Sequence, residues 1–191
     1  MTDSPRRQRL LDAALHVIAD DGLRGLTHRA VDRRAGLPEG SCSAYLRTRR
    51  ALQAALTEHV ADTLLADVDA VAHDLACASE PDGVAAALDL FQRWLDQREL
   101  LVARLELTMA ASRDPELADL LAAQRGRLTE LVERIMTATG KEHSLARAEA
   151  LVASYDGILL AALLKPPGER QAFLERSMDL LGAGLAGPDG G

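Results

Sequence analysis

The stretch that decides the fold runs from residue 27 to residue 46 and reads THRAVDRRAGLPEGSCSAYL. Thr27 can cap a helix with its hydroxyl oxygen, and Gly36 can end that helix after about nine residues by adopting a left-handed conformation. A second short helix then starts near Pro38 or Glu39 and ends near Leu46. This pattern predicts two short helices joined by a tight turn, which is the helix-turn-helix unit.

The inner face of this unit is predicted from its apolar residues. They stand where the two helices should touch: Val31, Ala35, Leu37, Cys42 and Tyr45. One inner position does not fit, because Asp32 occupies a place where a small apolar residue is usual. We expect Asp32 to tilt outward or to pair with Arg29 or Arg33.

Outward from this unit, the composition predicts an all-α protein. Hydrophobic residues make up 48% of the chain and aromatic residues only 3%, so the apolar content is mainly alanine and leucine, which favour helices. A first helix is predicted from Ser4 or Pro5 to Gly22, and Thr48 is expected to cap a long fourth helix from Arg49 to about Ser79. The remaining predicted helices cover residues 83–98, 99–112, 115–139, 143–164 and 169–186.

Charge divides the chain into a basic head and an acidic body. The net charge is −7, yet residues 1–60 contain ten arginines and seven acidic residues. A basic end of this kind favours contact with phosphates, and the acidic remainder disfavours it. Cys42 and Cys77 form no disulfide framework, and the sequence shows neither a signal peptide nor an uninterrupted apolar run of about 18 residues. We therefore expect a cytoplasmic protein with no membrane partner.

The segment from Arg7 to Leu56 resembles the TetR family of repressors. The resemblance lies in R-x-x-L-L-x-A-A at 7–14, D-G-L-R-G-L-T at 21–27, A-G-L-P-E-G-S at 35–41 and Y-L-R-T-R-R-A-L at 45–52. It implies nine helices, a dimer built from the last two, and a ligand cavity in the body. The expected organisation is a three-helix DNA-binding head at 1–50, a ligand-binding and dimerisation body at 51–186, and a disordered tail at 187–191.

The resemblance also implies which residues meet DNA. The candidates are Thr27, His28, Arg29, Glu39, Gly40, Ser41, Ser43, Tyr45, Arg47 and Arg49. Of these, Ser41 is expected on the exposed side of the recognition helix together with Glu39, Gly40, Ser43 and Ala44. The family commonly has a tyrosine where Ser43 stands, which moves the expected tyrosine–phosphate contact to Tyr45. The side chains of the recognition helix are otherwise small. Base recognition is therefore expected from Arg29, from a contact of Glu39 with a cytosine amine, and from DNA shape. The alternative for each charged residue is an ordinary solvated surface. Cys42 is expected to be a packed core residue, with a thiol sensor as the alternative.

The body supplies candidates for two further sites. Polar or aromatic groups within apolar helices are the candidates for ligand contact: Trp94, Arg104, Glu106, Met109, Gln124, Tyr155 and Asp156. The eighth helix is apolar on nearly all sides in its second half and needs cover from a partner. The expected dimer interface is Ile158, Leu159, Leu163, Phe173, Leu174, Met178 and Leu181.

The favoured hypothesis is a dimeric repressor that binds a palindromic operator in double-stranded DNA and is released by an unidentified small molecule. An alternative is a regulator without such a ligand, controlled by a protein partner. An all-helical enzyme or metalloprotein is the least favoured class, because the histidines lack paired helical spacing and no phosphate loop or nucleophile motif is present. No cofactor or metal is expected.

Overall fold

A computed structural model describes residues 4–141 and 144–185, and within them the chain forms nine α-helices and no strand. The helices are α1 (Pro5–Gly25), α2 (His28–Ala35), α3 (Ser41–Tyr45), α4 (Arg49–Cys77), α5 (Gly83–Asp96), α6 (Arg98–Ala111), α7 (Pro115–Ala138), α8 (Leu145–Leu163) and α9 (Pro167–Leu185). The all-α prediction is confirmed. The predicted disordered tail at 187–191 lies outside the described residues.

The first helix differs from its prediction at its carboxyl end. Gly22 has the expected positive φ of 67°, but its ψ is −177°, so it kinks the chain rather than closing the helix. Helical structure continues beyond the kink as far as Gly25. Glycine suits this position because a side chain strongly disfavours positive φ.

The recognition segment matches the predicted helix boundaries closely at α2 and less closely at α3. Thr27 accepts a hydrogen bond from the amide of Ala30 (3.2 Å), and Gly36 is left-handed, so both ends of α2 lie where the sequence placed them. The third helix begins only at Ser41, later than expected. The reason is Gly40, whose φ of 90° keeps the turn non-helical up to that point.

The chain divides into two compact units, with boundaries inside α4, between α5 and α6, and inside α7. The first unit contains the chain up to Leu65 and the segment Gln97–Arg125. Here α1 packs against α2, α3 and α6, and α2 packs against α3. The largest buried side chains of this unit are Leu10, Leu11, Ile18, Leu26, Val31, Leu52, Leu56 and Leu107.

The second unit contains Ala66–Asp96 and the chain from Gly126 onward. Helix α5 packs against α8 and α9, and α8 packs against α9. Val132, Met136, Ala148 and Val152 form a buried cluster in it. No helix among the described residues is long and apolar enough to cross a membrane. The expected functional boundary between residues 50 and 51 stays a prediction.

Candidate nucleic-acid interface

The turn between α2 and α3 is held by the carboxylate of Asp32. One oxygen, Oδ2, accepts a hydrogen bond from the amide of Gly40 (2.8 Å), and Oδ1 accepts one from the amide of Cys42 (2.7 Å). Asp32 is only 1% exposed. The expectation that Asp32 tilts outward or pairs with Arg29 or Arg33 is therefore wrong. The carboxylate faces inward and ties α2 to the first turn of α3.

The sequence carried a signal for this arrangement that our prediction missed. The first amides of a helix need acceptors, and serine, threonine, aspartate or asparagine at the preceding position usually supplies one. In α3 that position is Gly40, which has no side chain. An acidic residue at an inner position of α2 is the acceptor that this helix lacks. Bonds from amides to a carboxylate are stronger than bonds between neutral groups, which favours keeping Asp32 buried.

Ser41 lies on the buried side of the recognition helix. The prediction that it belongs to the exposed face is wrong, because its relative exposure is 9% and its hydroxyl oxygen accepts a hydrogen bond from Nη2 of Arg6 (3.1 Å). This bond joins the start of α1 to the start of α3. Ser41 contributes to the position of the recognition helix, and Arg6 is a supporting residue that the sequence analysis did not single out.

His28 holds the other end of α3. Its Nε2 lies 2.6 Å from the carbonyl oxygen of Leu46, and since a carbonyl can only accept, Nε2 carries the proton and donates. Leu46 is the residue that follows the last turn of α3. Hydrogen bonds from α2 thus reach both ends of the five-residue helix. The contact of His28 with phosphate stays a prediction.

Arg29 and Glu39 form an ion pair on the surface of the helix-turn-helix unit. Nη2 of Arg29 lies 3.3 Å from Oε2 of Glu39, and the two side chains are 80% and 75% exposed. Two residues predicted separately to reach bases are therefore brought together by the fold.

Beyond this pair, the exposed candidates, as a DNA-facing surface requires, are Thr27, Gly40, Ser43, Tyr45, Arg47 and Arg49. The assignment of Tyr45 to the inner face of the unit was wrong, because its side chain is 42% exposed. The hydroxyl of Ser43 donates to the carbonyl oxygen of Gly40 (3.0 Å).

Arg49 and Glu106 meet at one backbone residue next to the α1 kink. Arg49 donates from Nη2 to the carbonyl oxygen of Leu23 (2.6 Å), and the amide of Leu23 donates to Oε2 of Glu106 (3.1 Å). Leu23 thus connects the first residue of α4 to α6. The Glu106 carboxylate is thus an acceptor for the α1 backbone, and its contact with a ligand stays a prediction.

Cys42 lies beneath this surface and is completely buried. Burial, with a smaller contribution from the Asp32 carboxylate, raises the pKa of Cys42 to about 11. The thiol is therefore protonated at neutral pH, and a protonated, buried thiol is a poor nucleophile. These features are those of a packed core residue.

In the second unit, three aromatic rings form one cluster. Phe91 stacks on Trp94 (centroids 5.8 Å apart) and meets Tyr155 edge-on (5.1 Å). The indole Nε1 of Trp94 donates to Oδ2 of Asp67 (2.8 Å). Burial raises the pKa of Tyr155 to about 12, so its hydroxyl stays neutral. The structure thus joins the predicted residues Trp94 and Tyr155 through Phe91, which the sequence analysis did not single out.

The other predicted ligand residues have varied surroundings. Arg104, Met109 and Gln124 belong to the first unit, together with Glu106. Met109 is 60% exposed, while Arg104, Gln124 and Asp156 are partly buried and engaged with other groups. Their contact with a ligand stays a prediction. Among the described residues, no group of three or more histidine, cysteine or acidic side chains is arranged to hold a metal.

The predicted dimer residues divide into two sets. Leu159, Leu174 and Met178 are buried within the protomer, so including them in the interface with a partner was wrong. Ile158, Leu163, Phe173 and Leu181 are partly buried. Where the exposure of side chains in this region is described, the exposed large apolar ones are Leu160 of α8, Leu164 directly after α8 and Leu180 of α9.

Residues 78–183 match the family model described as "Tetracyclin repressor-like, C-terminal domain". The chain is also 27% identical over 164 residues to the HTH-type transcriptional regulator BetI of Cronobacter sakazakii, and the match covers 83% of this chain and 80% of that protein.

Two solved structures extend the similarity over nearly the whole chain. A member of the TetR family from Streptomyces coelicolor A3 is 30% identical, with a TM-score of 0.69, and the match covers 91% of this chain and 98% of that one. The multidrug binding protein EbrR complexed with ethidium is 30% identical, with a TM-score of 0.65, over 92% of this chain and 99% of that one.

Proposed function

The chain belongs to the TetR family of transcriptional regulators, and from this membership we propose that it is a dimeric repressor which binds a palindromic operator and leaves it when a small molecule binds the body. Members of the family are regulators of transcription, and no catalytic role is proposed for this chain. The proposed location is the cytoplasm, where genomic DNA is accessible to a bacterial regulator.

The observation that carries the proposal is the geometry of α2, the turn and α3. Helix-turn-helix proteins place the second helix in the major groove and support it with the first, which lies across the backbone. Here α2 holds both ends of α3, through Asp32 and His28. The outward side then presents Arg29, Tyr45, Arg47 and Arg49, which fit base edges and phosphates.

Binding to DNA from the protein's own promoter region should weaken steeply as salt rises, because each phosphate contact releases counterions. We expect Arg47→Ala to lower the affinity for all DNA sequences alike and to reduce the slope of log K against log salt by about 2, which is about 1 for each head of the proposed dimer. Fluorescence anisotropy with a labelled promoter fragment measures both quantities. Arg93→Ala, an exposed arginine of α5, is the matched control and should change neither. The proposal fails if the wild-type protein shows no salt-dependent binding.

A homodimer follows from the same proposal, because two heads related by a two-fold axis read two halves of a palindrome. The exposed leucines of α8 and α9 are its proposed contacts. The proposed ligand site includes the aromatic cluster of the second unit, since aromatic side chains with a few polar groups are typical of small-molecule sites. The related protein EbrR has been solved with ethidium, an aromatic cation, which provides a defined probe.

Trp94 is the chain's single tryptophan, so its emission reports on this cluster alone. We expect ethidium, added to the protein without DNA, to quench that emission in a saturable manner. Tyr155→Phe, which removes only the hydroxyl, should retain quenching, whereas Tyr155→Ala, which opens the cluster, should weaken binding roughly tenfold or more. Isothermal titration calorimetry provides an independent affinity. If no probe of this class binds, control by a protein partner becomes the favoured form of regulation.

A further inference from the structure

The Arg29–Glu39 ion pair bears on which base pair the protein recognises. Exposed pairs of this kind contribute little to stability, because water already solvates both charges. A carboxylate on a surface that meets phosphates also opposes DNA binding unless it accepts a hydrogen bond there. Neither folding nor general affinity for DNA accounts for Glu39 at this position.

Side by side, the two side chains present a fixed hydrogen-bonding pattern. The guanidinium offers two donors in a plane, and the carboxylate 3.3 Å away offers an acceptor. Across the major groove, a G·C pair offers two acceptors on guanine, N7 and O6, followed by a donor on cytosine, the N4 amine. An A·T pair instead offers an acceptor, a donor and an acceptor. The ion pair complements G·C and mismatches A·T.

We propose that Arg29 and Glu39 act together as the main specificity determinant and read a single G·C base pair in each half-site. Arg29 donates to N7 and O6 of guanine, and Glu39 accepts from N4 of the paired cytosine. This inference rests on the proposed function, because it requires the start of α3 to enter the major groove. The N-terminal part of a recognition helix is the part that contacts base edges.

The remainder of the outward surface supports the assignment. Ala44 has no polar group, and the hydroxyl of Ser43 already donates to the carbonyl oxygen of Gly40. Ser41 is buried and bonded to Arg6, so it does not reach DNA. Two-donor contacts to guanine are within the reach of Arg29 but not of these short side chains.

Selection from a library of randomised operator half-sites tests the pair directly. The full-length wild-type protein should prefer G·C at one position by on the order of 10- to 100-fold. Glu39→Ala, which removes the acceptor for the cytosine amine, and Arg29→Ala, which removes the donors to guanine, should each lose most of that preference at the same position. The double variant Arg29→Ala/Glu39→Ala should lose little more than either single variant. Arg33→Ala, an exposed arginine of the same helix, should keep the wild-type preference.

Two outcomes would overturn the inference, and a third would overturn the proposed function itself. If Glu39→Ala selects the same bases as wild type, or if the two single variants lose preference at different positions, the residues do not read one base pair. Removing a negative charge raises affinity for all DNA, so the deciding quantity is the ratio between sequences and not the affinity itself. If the wild-type protein selects no sequence at all, the proposed function itself fails.

Discussion

Replacing Asp32 by alanine should destabilise the first unit by about 2–4 kcal/mol and abolish ordered docking of α3. Two amides, those of Gly40 and Cys42, lose a charged acceptor, and the Cys42 amide is buried where water does not easily replace it. For a chain of this size the loss corresponds to a fall in Tm of roughly 5–15 °C. Thermal and urea denaturation measure it, and operator affinity should fall with it because α3 is no longer held for the groove.

The variant Asp32→Asn separates the contributions of the two hydrogen bonds that Asp32 accepts, from the amides of Gly40 and Cys42. Its carbonyl oxygen can replace one carboxylate oxygen, but its amide group would face an N–H donor, so about half of the stability should return. Asp20→Ala is the control, because Asp20 forms an exposed ion pair with Arg34 (3.2 Å) and its loss should change stability by less than about 1 kcal/mol. An unchanged Tm for Asp32→Ala would show that water or a relaxed turn satisfies both amides.

The double substitution Leu160→Glu/Leu164→Glu should convert the proposed dimer into a monomer and reduce operator affinity by about 100-fold or more. Leu164 is 80% exposed in the protomer, and Ala153, Gly157 and Leu160 continue the same exposed stripe along α8. A Cβ added to Gly157 would meet nothing within 4 Å, so a partner helix has room to approach closely. A buried, unpaired carboxylate in such an interface is strongly unfavourable.

The loss of DNA affinity follows from the loss of bivalency, because two linked heads bind a palindrome far more tightly than one. Sedimentation equilibrium measures the oligomeric state and anisotropy measures the affinity. Leu145→Glu is the matched control: Leu145 is also exposed on α8, but it lies roughly 90° around the helix from the stripe. A Leu160→Glu/Leu164→Glu protein that remains dimeric would exclude this face of α8 from the interface.

Much of the fold could be predicted from the sequence, because its helix boundaries depend on local chemistry. The hydroxyl of Thr27, the left-handed Gly36 and the hydroxyl of Thr48, which accepts from the amide of Ala51, act on neighbours within four residues. Such signals are visible in a window of sequence. The kink at Gly22 was less predictable, since the helix resumes through packing of α1 on α6, and no local signal encodes that contact.

Features of the site could be predicted from the sequence only where they depend on one residue's own position and not on how the helices pack. Exposure of Arg29 and Ser43 followed from their places on the helices, whereas Tyr45, which was predicted on the inner face, is 42% exposed. The bonds of Asp32 to Gly40 and Cys42, and that of Arg6 to Ser41, join residues from 8 to 35 positions apart and depend on how the helices pack. The same holds for Leu174, whose helical face was identified as apolar but which faces the protomer's own core.

The inward bonds of Asp32 and Ser41 also bear on how new regulators of this kind arise. The bonds from α2 and α1 that hold α3 come from Asp32, His28 and Arg6, and not from the outward residues Glu39, Ala44 and Tyr45. Substitutions there alter the target sequence with little penalty in folding. We therefore expect duplicated copies of such a gene to diverge toward different operators through substitutions at a few surface positions. The residues that hold α3 in place are inherited unchanged.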